Sequence, residues 1–292
     1  MTMKIGVSSY SYSGIVGKKL AFLDIPAKAK EMGFDVIEFS GLACPKSETP
    51  LSFAPRVREA CEQAGIPIAN YTIGADFLRC ANSDWKAEAE RLKDEVRTAK
   101  ALGAPGMRHD ATGGFPAGHK GARGFDDALP TLVKGCRMVT EFAADQGIKT
   151  MVENHGFFCQ DSERVEKLIN GVNHPNFGAL IDMGNFLCAD ESPALAVARM
   201  MPYAFHCHAK DVHVKPGAGA NPGSGWCLSR GGNYLRGAII GHGDVPVTQC
   251  LRVMRNAGFS GVLSIEFEGI EETLTGISLG LENLRRYVKE VE

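Results

Sequence analysis

The chain is 292 residues long and 44% hydrophobic, with 32 Lys and Arg against 34 Asp and Glu and a net charge of −2. That balance offers no basic stripe for nucleic acid, and no segment approaches the about 18 uninterrupted apolar residues of a membrane span. Nine scattered cysteines with no C-x-x-C pair, and an amino terminus that enters a strand rather than a signal segment, predict a soluble cytoplasmic protein with reduced thiols.

In chain order, KIGVS (4–8) predicts a first strand. A recurring pattern follows, in which an amphipathic helix ends in glycine and runs into a short apolar strand. It appears as AKAKEMG-FDVIEF, VREACEQAG-IPIANY, RTAKALG-APGMRH, EFAADQG-IKTMVE and LRVMRNAG-FSGVLSIE. Segments 177–182 and 203–208 supply the sixth and seventh strands. Leu274, Ile277, Leu281, Leu284 and Val288 carry the three-four spacing of a closing helix. Eight strand–helix units without a composition break predict one α/β domain over 1–292. The expected architecture is a closed (β/α)8 TIM barrel with its active site at the C-terminal ends of the strands. Two irregular stretches follow strand ends, Asp110 to Arg123 and Asp211 to about Gly243. The second holds nine glycines between Gly217 and Gly243, and its expected role is to cover the barrel mouth.

Four consecutive strands end on a potential metal ligand. Thr150-Met151-Val152 runs into Glu153, Leu180-Ile181 into Asp182, and Val262 to Ile265 into Glu266, while His206 and His208 alternate along an apolar strand. In a barrel these ends converge, so Glu153, Asp182, His208 and Glu266 are the expected ligands. Three carboxylates and one imidazole make a hard, oxygen-rich site for one divalent ion. Mn2+ is the expected ion, with Mg2+, Co2+ or Zn2+ as the others such a site accepts. Without a cation three crowded carboxylates would repel. His208 lies nearer the mouth than His206, which is expected to be a satisfied interior histidine, and Glu268 begins a turn. Other expected substrate contacts are His109 at the end of strand four, His155 beside Glu153, Lys210 two residues past His208, and Arg230 and Arg236 in the long loop.

An ion that chelates a hydroxyl and the neighbouring carbonyl acidifies the carbon-bound proton between them. Glu153 and Glu266 could then remove and return that proton. The expected substrate is a small polyhydroxy carbonyl compound. Two other outcomes remain open on this reading, a lyase or dehydratase on the same scaffold and a non-catalytic sugar-binding subunit. Homo-oligomerisation is also left open.

The runs VENHG, IDMGN, FHCHAKD, GHGDVP and LSIEFEG, together with KIGVSSYS and GFDVIEF, resemble the sugar phosphate isomerase/epimerase family of xylose-isomerase-like barrels. The resemblance covers nearly the whole chain. It implies a divalent metal held by Glu153, Asp182, His208 and Glu266, with the two glutamates doubling as acid and base. Its members include ketose 3-epimerases, inosose dehydratases and hydroxypyruvate isomerase. Asn185 stands where many epimerases carry a histidine that binds a substrate oxygen, and is the expected substrate contact there.

Three further motifs are set aside. Gly276-Ile277-Ser278-Leu279-Gly280 matches G-x-S-x-G but falls within a predicted helix rather than at a strand-to-helix elbow. The run from Gly217 to Gly223 has neither dinucleotide spacing nor a P-loop lysine. Asp211-Val212-His213 resembles the D-x-H of endonuclease IV-like barrels. Without a basic groove, and with Asn185 replacing another of that family's zinc-binding histidines, it does not support DNA repair.

Overall fold

The computed structural model describes residues 3–292. The five glycines that close the predicted helices, Gly33, Gly65, Gly103, Gly147 and Gly258, all take positive φ. At Gly65 (φ 65°) and Gly103 (φ 82°) the left-handed turn caps α2 (Pro50–Ala64) and α3 (Trp85–Leu102), a conformation any side chain would strain. Each turn sends the chain straight into the next strand of the wall.

That wall is made of β1 (Lys4–Ser8), β2 (Val36–Ser40), β3 (Ile68–Ile73), β4 (Gly106–His109), β5 (Lys149–Glu153), β6 (Phe177–Asp182) and β7 (Ala204–Ala209). After β7 come three short strands, β8 (Asp211–Lys215), β9 (Cys227–Leu228) and β10 (Tyr234–Ala238), before β11 (Val262–Ile265) completes the wall. The barrel closes in the order β1-β11-β7-β6-β5-β4-β3-β2. Its neighbouring strands are parallel throughout. The remaining helices are α1 (Ile25–Glu31), α4 (Phe125–Asp145), α5 (Ser162–Val172), α6 (Pro193–Met200), α7 (Val247–Asn256) and α8 (Thr273–Val291). One helix follows each barrel strand, and its apolar stripe packs on the outside of the wall. On α8, Ile277, Leu281, Leu284 and Val288 are buried and Leu274 is half-buried, so the expected spacing is the core-facing stripe. The G-x-S-x-G run lies wholly inside that helix.

The stretch after β7 differs from the loop expected of it. β8 and β10 pair antiparallel from Asp211↔Ala238 to Lys215↔Tyr234, and β9 adds to β10, giving a separate three-stranded sheet. Alternation in DVHVK and YLRGA is the signal that the glycines obscured. The sheet docks on the rim through Gly237, which bridges Gly269; a Cβ there would come within 2.4 Å of the Glu268 carbonyl oxygen. Asp211 accepts hydrogen bonds from the backbone of Val212, Gly241, Gly243 and Val245. Its carboxylate is therefore a loop organiser rather than a zinc ligand. The other stretch, 110–124, contains no helix or strand. No helix among the described residues is long and apolar enough to cross a membrane, and all nine cysteines are free.

Candidate active site

Asp182 and His208 stand level with each other across the β6–β7 pair, and Ser264 stands level with His208 on β11. Glu153 ends β5, and Glu266 follows β11 by one residue. The imidazole Nδ1 of His208 lies 3.9 Å from Glu153 Oε1, 3.7 Å from Asp182 Oδ2 and 3.8 Å from Glu266 Oε2. One ligand atom from each of the four residues lies within 4.8 Å of the others. Two of those atoms, Asp182 Oδ2 and His208 Nδ1, are buried without a hydrogen-bond partner. Two orphaned polar atoms facing a ring of carboxylates fit a divalent cation, because leaving them unpaired costs free energy.

The surroundings aim these atoms. Asp182 Oδ1 accepts from the backbone of Gly184 and Asn185, at 2.8 and 2.9 Å, which turns Oδ2 toward the cluster. Asn154 locks the β5 and β6 ends together, donating from Nδ2 to the Asp182 carbonyl and accepting from the Asp182 N–H. Glu38 on β2 is fully buried and accepts from His208 Nε2 at 2.5 Å. A carboxylate can only accept, so Nε2 carries the proton and Nδ1 presents its lone pair. The same carboxylate lies 2.8 Å from His206 Nε2, which also contacts Ser264 Oγ at 2.9 Å. Burial would raise the Glu38 carboxyl, and the imidazoles of His208 and His206 outweigh it and hold it below the usual range. His206 is thus an interior residue, as its position implied. Glu38 was not foreseen, because a single acid inside VIEFS carries no sequence mark of the histidines it meets 168 and 170 residues later.

Two buried cations balance the acids. Lys210 Nζ lies 2.8 Å from Glu266 Oε2, 3.1 Å from Glu268 Oε2 and 3.5 Å from Asp182 Oδ2, and donates to Asn185 Oδ1. Burial pulls its pKa down, but Glu266, Asp182 and Glu268 outweigh that and raise it. Arg108 Nε sits 2.6 Å from Glu153 Oε2, close by distance though poorly aligned as a hydrogen bond, and Nη2 sits 2.8 Å from Asp110 Oδ1. Burial pushes Glu153 above the ordinary carboxylate range, against the lowering pull of Arg108 and His208. For Asp182 burial acts the same way, but Lys210 and His208 win and bring it to about 2. Asp110 also accepts from His155 Nδ1 at 2.9 Å, leaving the other ring nitrogen of this half-exposed histidine uncommitted.

The cavity above these groups is about 220 Å3 and is lined by Glu153, His155, Lys210 and Glu266 among the expected residues, with Arg108 and Glu268 beside them. Tyr10, Ser40 and Thr72 form the rest of its wall. His109 is a correction. It is fully buried on the outer face of β4, with Phe77 edge-on and Phe177 stacked at ring distances of 6.1 Å. Parity explains the exchange. His109 pairs with Val152 and Arg108 with Met151, so Arg108 shares the inward face with Glu153 and His109 does not. Asn185 donates from Nδ2 to Glu153 Oε1 at 2.9 Å, so it steadies that carboxylate and is not among the residues lining the cavity. Arg236 leaves the site too, stacking on Trp226 and facing Glu271 at 3.6 Å. Arg230 is held by Asp161 at 2.9 Å and by the Phe157 carbonyl. No residue of 211–243 lines the cavity, so the small sheet flanks the mouth instead of covering it.

The fold is a (β/α)8 barrel with a cluster of three carboxylates and one imidazole at the C-terminal ends of its strands. The chain belongs to the xylose isomerase-like TIM barrel family, which matches residues 26–287. It is similar over its whole length to a xylose isomerase domain protein from Planctomyces limnophilus, at 19% identity and a TM-score of 0.75, covering 99% of that chain. It is also similar to the D-psicose 3-epimerase of Clostridium cellulolyticum H10, solved with D-tagatose, at 14% identity and TM-score 0.73; 98% of this chain and 99% of that one are covered. A third likeness is to the 3-keto-D-glucoside 4-epimerase of E. coli, at 15% identity and TM-score 0.72, covering 98% of this chain and 100% of that one. No curated protein matches the chain in sequence.

Proposed function

We propose that this protein is a divalent-metal-dependent isomerase or epimerase of a small sugar or polyhydroxy carbonyl compound, working by proton transfer through an enediolate. The observation that carries this reading is that Glu153 and Glu266 line one small cavity while contributing to a single four-residue ligand cluster. Glu153, Asp182, His208 and Glu266 would hold the ion, with Mn2+ favoured by the three carboxylate oxygens and one imidazole nitrogen. When bound, such an ion supplies a Lewis acid that makes a carbon-bound proton beside a carbonyl easier to remove.

The chain's own residues move that proton. Glu153, at the cavity wall, is placed to take and give a proton. Arg108 and Asn185 hold its two oxygens, and Lys210 holds Glu266. Both carboxylates are thereby fixed in place before a substrate arrives, which saves orientation at the moment of reaction. In deuterium oxide, the carbon that changes configuration should acquire deuterium. Glu153→Gln and Glu266→Gln should each lower kcat about a hundredfold or more. Product free of solvent deuterium, with full activity in either Gln variant, would remove the proton-transfer reading.

A second reading, elimination of water or of a leaving group from the same enediolate, is favoured by one feature. His155 lines the cavity with Nδ1 engaged by Asp110, and its pKa is raised because Asp110 overcomes the lowering by burial. An imidazole positioned in this way is a suitable general acid toward a departing hydroxyl. A product lighter by one water, lost in His155→Gln, would assign the chain to this branch.

A further inference from the structure

We infer that the substrate taken by this cavity is an uncharged polyhydroxy carbonyl compound, and that Glu268 turns away sugar phosphates and sugar acids. The inference rests on the proposed function and narrows its substrate class. Of the nine side chains lining the cavity, three are carboxylates (Glu153, Glu266 and Glu268) and two are permanent cations (Arg108 and Lys210). Recognition of a phosphate or carboxylate requires cationic donors with N–H groups to spare. Both cations already face protein acceptors. Arg108 faces Glu153 and Asp110, and its third edge donates to the Ile73 carbonyl at 3.1 Å. Lys210 is surrounded by Glu266, Glu268, Asp182 and Asn185.

A bound divalent ion does not create a surplus. Its two charges meet three carboxylate ligands, and although it would draw Glu266 and Asp182 away from Lys210, Glu268 remains beside that ammonium at 3.1 Å. Glu268 is not one of the clustered ligands, and 38% of its side chain is exposed at the opening. It therefore puts a negative charge where a substrate enters, and like charges in contact are strongly disfavoured. The arginines around the mouth are committed elsewhere, Arg91 to Glu88 and Glu95, Arg230 to Asp161 and Arg236 to Glu271. His155 offers one ring nitrogen, too little to hold a phosphate alone. Tyr10, Ser40 and Thr72 also line the cavity, and hydroxyls are suited to substrate hydroxyls. At about 220 Å3 the space is smaller than the roughly 300–1,000 Å3 of drug-sized sites, which also favours a compact substrate.

The test uses the Mn2+-loaded protein and matched pairs: D-fructose, D-tagatose and D-ribulose against their terminal phosphates, and dihydroxyacetone against hydroxypyruvate. Turnover is followed by NMR and binding by calorimetry. In each pair that is handled, the neutral member should show at least about tenfold higher kcat/KM or affinity, the scale of one opposing charge. Glu268→Gln should narrow that gap. A phosphate or acid preferred over its neutral partner would overturn this inference and leave the isomerase reading standing, as would a gap unchanged in Glu268→Gln. If no member of any pair is bound or turned over, the isomerase reading fails and this inference falls with it.

Discussion

Arg108 and His109 are neighbours on one strand, both buried, and meet opposite surroundings. Arg108 points into the barrel, where Glu153 and Asp110 compensate its charge. His109 points out, where Phe77 and Phe177 flank it and burial lowers its pKa, keeping it neutral. The contrast extends around the wall. Inside at the mouth stand Glu38, Glu153, Asp182 and His208; outside stand Val152, Ile181, Cys207 and Ile265, all buried. Equal burial thus carries different chemistry. A charge is tolerated only where opposite charges from several strands converge on it, and the barrel interior is the one face where they can.

The sharpest way to break that contrast is to remove the inward residues proposed as ligands. Wild-type protein should hold about one divalent ion per chain, in the Glu153, Asp182, His208 and Glu266 cluster. Asp182→Ala and His208→Ala should lose it while circular dichroism still reports the barrel. Full metal occupancy in both variants would refute the ligand assignment. Next in size is Arg108→Met, which removes the buried guanidinium that faces both Glu153 and Asp110. It should destabilise the fold by about 3–5 kcal/mol in urea, the usual cost of breaking a buried pair. A loss below 1 kcal/mol would mean that the inner charges are compensated some other way.

A subtler change is Glu38→Gln, which keeps an acceptor for His208 Nε2 but removes the charge behind it. Metal affinity should fall about 10–100-fold, as for other partners standing behind a ligating histidine. Unaltered affinity would show that the barrel alone orients His208. The smallest expected effect is on the outer face. His109 has a folded pKa below the about 6.5 of an unfolded histidine. Between those two values the unfolded chain binds the extra proton, so this contribution is intact above about pH 6.5 and is lost as pH falls below it. His109→Phe should therefore lose less stability than wild type between pH 7 and pH 5. An identical fall in Tm for both proteins would contradict the neutral, buried imidazole.

Much of this was legible in the sequence. Helix-end glycines and short apolar strands announce eight repeats because each rests on local rules, a left-handed turn and a pleated, buried segment. Glu153, Asp182, His208 and Glu266 were legible as a cluster because each falls within a residue of the end of an apolar strand, where this fold makes ends converge. Arg108 was hidden beside His109. APGMRH does not show where the strand's inward phase begins, and one residue of register moves a side chain to the other face. The glycines of 217–243 suggested an irregular cover and concealed the pairing of DVHVK with YLRGA.

The sequence alone determines the barrel and its ring of strand-end acids and imidazole, since periodicity and punctuation act over a few residues at a time. Tertiary structure alone decides which charges neutralise one another. Glu38 meets His208 from 170 residues away, Asp110 meets His155 from 45, and Lys210 meets Glu266 from 56. No local rule encodes such encounters, because a charge finds its partner through the closure of the barrel in space rather than through its place along the chain.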